Sequence, residues 1–141
     1  MPAPSKRQVT DAEKEAFIAS NKFGVLCFSG AKAYAVPVAY KYFKGTMIFV
    51  MQRAGRKLGY IDKNKNVCFN IWQMGDQITV PGLKDLRYVS VLLEGALEEI
   101  KLGSPDWSLY ELPTPPPGVN LAAFKLNTST IGATAATQPT K

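Results

Sequence analysis

Residues 46–72 read TMIFVMQRAGRKLGYIDKNKNVCFNIW, and the order of signals in this stretch decides the fold. Positions 46–51 form a short apolar run of residues that favour strands. A basic turn follows, Arg53-Ala54-Gly55-Arg56-Lys57. Leu58 and Ile61 then recur at helical spacing, and positions 67–72 read as a second strand. Strand, basic turn, short helix and strand together make a physical recipe for holding an anion. The first N–H groups of a helix lack internal partners and carry partial positive charge. Arg56 and Lys57 add full charges, and Gly55 lets the backbone come close.

Upstream, residues 1–9 are polar with two prolines and read as a loose arm. Thr10-Asp11-Ala12-Glu13 matches a capping box, which predicts a helix ending at Ser20 or Asn21, with Phe17 on the core and the helix plugging one end of a sheet. Residues 24–28 are nearly all apolar and predict a buried strand. A turn at 29–32 leads into 33–43, which alternates. Tyr34, Val36, Val38, Tyr40 and Tyr42 share one face, and Ala33, Ala35, Pro37 and Ala39 the other. The bare face leaves room either for something flat or for a neighbouring element packed tightly. Pro37 lacks a ladder donor and places this strand at an edge or a bulge. Lys44-Gly45 then turns the chain into a hairpin.

Downstream, 74–85 contains Gly75, Pro81 and Gly82 and reads as a loop. A long strand is expected over 86–100, with Gly95 marking a bulge or sharp bend of the kind small barrels need to close. Residues 102–118 are proline-rich and irregular, carrying Trp107 and Tyr110. A last strand covers 119–127, and 128–141 is a small, polar tail, loose or draped over a partner. No internal repeat is present. The pattern predicts a mostly β chain, a single domain over 1–141, built as a small six-stranded antiparallel barrel with a capping N-terminal helix and one short internal helix.

Composition narrows the function classes. With 46% hydrophobic and 20% charged residues among 141, the chain is long and apolar enough for one globular core. The net charge of +6 suits nucleic acid, an acidic membrane surface or an anionic small molecule. No run of five or more Lys/Arg occurs and the cations are scattered, which favours the phosphate-bearing small molecule over nucleic acid. Cys27 and Cys68 sit in apolar runs and read as buried free thiols in a reducing compartment. Histidine is absent, which removes the commonest metal ligand and general base, and no metal site is expected. No apolar segment approaches the roughly 20 residues of a membrane span and no secretory signal opens the sequence, so a cytoplasmic location and no membrane partner are expected.

Five short motifs, taken in order, resemble the flavin-binding split β-barrels related to pyridoxamine 5′-phosphate oxidase. A helix leads into Phe23-Gly24-Val25-Leu26, and the next strand holds Val36-Pro37-Val38-Ala39-Tyr40. Gly55-Arg56-Lys57-Leu58 and Asn64-Lys65-Asn66-Val67-Cys68-Phe69 follow, and Val91-Leu92-Leu93-Glu94-Gly95 ends a strand in glycine. The resemblance spans residues 10–127. It implies FMN bound at the interface of a homodimer, with Arg56 and Lys57 on its phosphate next to Gly55. Val36, Pro37 and Val38 would border the ring, helped by Val50, Met51 and Gln52, and Tyr88 and Trp107 would reach it from the partner subunit. Met51 and Gln52 stand where several relatives carry histidine or serine. A full pyridoxamine phosphate oxidase also needs a basic and histidine-containing substrate-phosphate site, and this sequence offers none.

The leading expectation is an FMN-dependent oxidoreductase acting on a small substrate or electron donor, with the flavin carrying out the redox step. The alternative is a non-catalytic flavin-binding protein, an electron carrier or flavin store. A barrel holding haem or a deazaflavin stands third, with haem disfavoured by the missing histidine, and a nucleic-acid-binding barrel last.

Overall fold

The computed structural model describes residues 5–138. In chain order they form β1 (Lys6–Arg7), α1 (Asp11–Ser20), β2 (Phe23–Phe28), β3 (Tyr34–Ala39), β4 (Lys41–Phe43), β5 (Thr46–Gln52), α2 (Arg56–Lys63), β6 (Asn66–Met74), β7 (Leu86–Ile100), α3 (Pro105–Leu109) and β8 (Leu121–Thr137). A single 3-10 turn at Gly75–Gln77 follows β6. Strand covers 49% of the described residues and helix 19%, so the fold is mostly β.

The capping box forms as its residues require. The Thr10 hydroxyl accepts from the Glu13 N–H at 3.1 Å, and the Glu13 carboxylate accepts from the Thr10 N–H at 3.0 Å. Two donors that a bare helix start would leave orphaned are thereby satisfied, which stabilises the helix by about 1 kcal/mol. Phe17 and Ile18 bury completely. Beyond the helix, the Tyr40 hydroxyl donates to the Ile18 carbonyl at 2.6 Å and fixes α1 across the open end of the sheet. Gln73 adds a hydrogen bond to Asn21 at 2.9 Å.

Seven strands form one antiparallel half-barrel in the order β3-β2-β6-β7-β8-β5-β4, and the two-residue β1 pairs with the far end of β8. The six strands expected from sequence differ from this in one instructive way. Residues 33–43 are two strands and not one, because the chain leaves β2 at Ala39 and joins β5 from Lys41. That step carries it from one end of the sheet to the other. β3 is a terminal strand, where Pro37 removes no needed ladder donor.

The core lies inside the curl, where Leu26, Phe49, Phe69, Ile71, Val91 and Phe124 meet Phe17 and Ile18 from α1. Phe69 packs edge-on against Phe49 at 4.9 Å and Tyr40 at 5.4 Å between ring centroids. The β7–β8 register shifts between Glu94 and Gly95, placing a bulge at the glycine named from sequence. A Cβ on Gly95 would lie 2.1 Å from the Asn127 carbonyl oxygen, so only glycine allows the two backbones this close.

Several boundaries move. β2 is not fully buried: Leu26 and Phe28 face inward, while Phe23 is 68% exposed. β8 runs on to Thr137, through residues assigned to a loose tail, and 102–118 contains the helix α3. Part of the expected N-terminal arm, Lys6–Arg7, is strand, while residues 1–4 and 139–141 lie outside the described residues. No helix of the described residues is long and apolar enough to cross a membrane.

Candidate functional site

The half-barrel has a seam. β3 pairs only with β2, and the ladder between β4 and β5 ends where Lys41 meets Ile48. Past Ile48, β5 pairs with β8 on one side and has no strand on the other. Two strand edges therefore face one another without a shared ladder, and edges of this kind carry unpaired N–H and C=O groups. Between them opens a cleft of about 330 Å³, lined by Pro37, Val38 and Ala39 from β3, Phe49, Val50, Met51 and Gln52 from β5, and Ala54 and Lys57 from the turn and helix that follow.

The alternation of β3 shapes this cleft. Tyr34, Val36 and Val38 pack on the core, which leaves Ala35, Pro37 and Ala39 exposed on the other face. Small side chains there give the wall its open floor. At the mouth, α2 begins after Gly55, whose φ of +99° lies where glycine is favoured. No side chain caps this helix and no acid stands in its first turn. Its first N–H groups thus have neither a side-chain cap nor a first-turn carboxylate, a start suited to an external anion.

The three cations of the basic turn go three ways. Arg53 turns back onto Glu99 at 3.1 Å. Lys57 lines the cleft. Arg56 points away from it and lays its guanidinium over the Tyr34 ring, 4.2 Å from the centroid. The Tyr60 hydroxyl accepts from Arg56 at 3.4 Å, which raises the arginine pKa further. Arg56 and Lys57 therefore line different cavities.

Of the residues named from sequence, Pro37, Val38, Val50, Met51, Gln52 and Lys57 come together on the cleft, with Gly55 at its helix start. Val36 packs against the core beneath. Trp107 is 7% exposed among Ile48, Ile100, Leu112 and Ala123, and its indole N–H donates to the Pro113 carbonyl at 3.2 Å. Its ring and its donor are both engaged within its own subunit. Tyr88 lies on the outer face of the sheet, opposite Met74. The reading from sequence did not single out Ala39, Phe49 or Ala54 as lining residues. Ala39 was visible in the bare face and Ala54 in the basic turn, whereas nothing local marks Phe49.

The outer face of the sheet adjoins the cleft. Directly opposed residues of neighbouring strands share a face. By register, Ala39 stands opposite Phe23 and Pro37 opposite Val25, then Val25 opposite Asn70 and Asn70 opposite Leu92. Phe23, Val25, Trp72, Met74 and Leu92 are all exposed on this face, Trp72 by 52%. An apolar surface thus runs from the cleft wall across β2, β6 and β7 to Tyr88. Cys27 and Cys68 face each other on it, half-buried and unbonded. Burial, and then the neighbouring Cys27, push the Cys68 thiol pKa up.

An antiparallel half-barrel whose seam holds a cleft with a lysine and a helix start at its mouth defines a class of small β proteins. The sequence profile described as pyridoxamine 5′-phosphate oxidase matches residues 10–136, and the chain belongs to that family. Among solved structures, a FAD-binding protein from Mesorhizobium loti superposes with a TM-score of 0.71 at 17% identity, covering 96% of this chain and 100% of that one. The FAD binding protein from Mycobacterium smegmatis gives 0.70 at 14% identity, covering 92% and 98%. A conserved protein of unknown function from Corynebacterium diphtheriae gives 0.70 at 12%, covering 93% and 98%. At these identities the likeness shows the shared fold. No curated protein matches the chain.

Proposed function

We propose that this protein binds FMN in the seam cleft and works as a flavin-dependent oxidoreductase on a small organic substrate. The observation that carries the reading is the cleft itself, with a sparsely furnished strand face along one wall and Lys57 beside an uncapped helix start at its mouth. A flat ring fits against Pro37, Val38 and Ala39, and the free strand edges offer N–H and C=O groups to its polar rim. Lys57 and the first N–H groups of α2 would hold the phosphate. When bound, the flavin supplies the two-electron redox chemistry, and the protein supplies position and charge. The family match and the two FAD-binding structural relatives support a flavin as the ligand.

A volume of about 330 Å³ is at the small end for a ligand pocket, which runs roughly 300–1,000 Å³. One chain therefore covers such a ring only in part. The apolar face continuous with Pro37 and Ala39 supplies the rest of the argument: a second copy seated on it would close the cleft and would carry Tyr88 to the shared surface. We read the working unit as a homodimer.

Lys57 is the one ionisable side chain on the cleft lining. That observation favours a second reading, a flavin carrier or store without turnover. Reconstitution with FMN tests both. A flavin absorption band that stays with the protein through gel filtration, at dimer mass, is expected, and colourless protein after reconstitution would end the proposal. Rapid reduction by NADH or NADPH marks an enzyme. Slow reduction except through a protein partner marks a carrier.

A further inference from the structure

On the opposite flank of α2 from Lys57 lies a larger cavity of about 440 Å³, between the helix and the turn that joins β2 to β3. Lys32, Arg56 and Lys63 stand on its lining and no carboxylate does. The four ion pairs among the described residues include none of the three. Like charges gathered without a counter-charge repel one another, and a bound anion would relieve that repulsion.

Arg56 is held ready rather than free. Its guanidinium is 4.2 Å from the Tyr34 centroid and 5.6 Å from that of Tyr60, and those rings are 4.9 Å apart. Phe28 stacks behind Tyr34 at 5.3 Å. A guanidinium pinned on aromatic faces keeps donors at its rim for a second partner. The floor beside it is open, since a Cβ on Gly59 would meet nothing within 4 Å. The cavity thus combines a positive rim, an aromatic wall at Tyr60 and a slot over bare helix backbone.

We propose that this cavity is a second ligand subsite, which takes an anionic group joined to a flat ring. A nucleotide phosphate and the carboxylate of an aromatic acid share that chemistry. None of the cavity's residues lines the cleft, so the proposal stands whether or not the cleft takes a flavin.

Calorimetric titration of the full-length protein with ADP and, separately, with benzoate tests it, and the probe that binds identifies the source of the anion. Lys32→Ala/Lys63→Ala should weaken that binding roughly tenfold, as should raised salt. Gly59→Leu should abolish it by filling the slot while leaving every charge in place. This substitution also improves helix propensity, so an unchanged or higher Tm is expected. Lys57→Ala should leave it unaltered. Failure of both probes to bind at millimolar concentration overturns the proposal. So does binding that survives Gly59→Leu, or that falls with Lys57→Ala and not with the Lys32/Lys63 pair.

Discussion

Replacing Lys57 alone, and Arg56 alone, separates the structural reading of the phosphate site from the one the sequence invites. The sequence places two adjacent cations at a helix start and predicts that both hold the anion. In the fold only Lys57 lines the cleft, and Arg56 lies over Tyr34. A charge-assisted contact is worth about 1.5–3 kcal/mol, and an open, solvated cleft puts Lys57 near the lower end. Lys57→Ala should therefore weaken FMN binding by roughly ten- to thirtyfold, since each 1.4 kcal/mol or so is a factor of ten. Arg56→Ala should change it by no more than about threefold, the share expected from long-range charge alone.

The stability of the two variants should run the other way. Arg56→Ala gives up exposed cation–π contacts to Tyr34 and Tyr60 and should lower stability slightly, whereas Lys57 takes part in none of the described ion pairs or cation–π contacts. Quenching of FMN fluorescence on titration, at low and at high salt, measures the affinities, and urea denaturation measures the stabilities. The Lys57 effect should shrink as salt rises. Equal losses of affinity in the two variants, or none for Lys57→Ala, would refute the assignment of the anion to the Lys57 flank.

Three further outcomes follow from the packing. Gly95→Ala should cost about 3 kcal/mol in urea denaturation, because its Cβ would meet the Asn127 carbonyl oxygen at 2.1 Å and backbone cannot swing aside as a side chain can. Tyr40→Phe should cost about 1 kcal/mol, because it strips a 2.6 Å hydrogen bond from the Ile18 carbonyl at the end of α1; burial also raises the Tyr40 pKa, so its hydroxyl stays a donor into strong base. The Arg7 guanidinium, and after it the Thr10 N–H, pull the Glu13 carboxyl down to about 2 from an ordinary 4.5. A depressed carboxylate stabilises the fold above its unfolded pKa and loses that contribution as pH falls through the folded one. Thermal melts should show the loss between about pH 5 and pH 2, and Glu13→Gln should flatten that part of the profile.

What the sequence disclosed of the fold was whatever local chemistry determines. Thr10 and Glu13 announce a capping box within four residues, Gly95 announces a bulge, and Pro37 announces an edge, and each is found where its residue type requires. The misses share a different cause. Alternation runs unbroken through 33–43, because Tyr40 and Tyr42 keep the inward phase across the step from β3 to β4. Only the pairing partners change there, from β2 to β5, and no residue announces a change of partner. The far half of β8 is small and polar and looks like tail. It is strand because β7 is long enough to pair it out to Thr137 opposite Leu86. Its ladder is set by another segment's length, which its own side chains do not encode.

The site was legible to a similar depth, and for a related reason. Residue types sufficed to gather Pro37, Val38, Val50, Met51, Gln52 and Lys57 on one cleft. They did not suffice to divide Arg56 from Lys57, although the means were present. Consecutive residues of a helix point about 100° apart, so adjacent cations at its start leave the backbone in different directions. Tyr60, four residues after Arg56, lies on the same flank and offers the ring and hydroxyl that hold the guanidinium there. Tyr34 completes that flank, from a strand twenty-two residues upstream of Arg56, and only the tertiary fold brings it into place. In this chain the basic pair at the helix start serves two separate cavities. Which of them meets a given ligand depends on what the rest of the sheet sets beside each one.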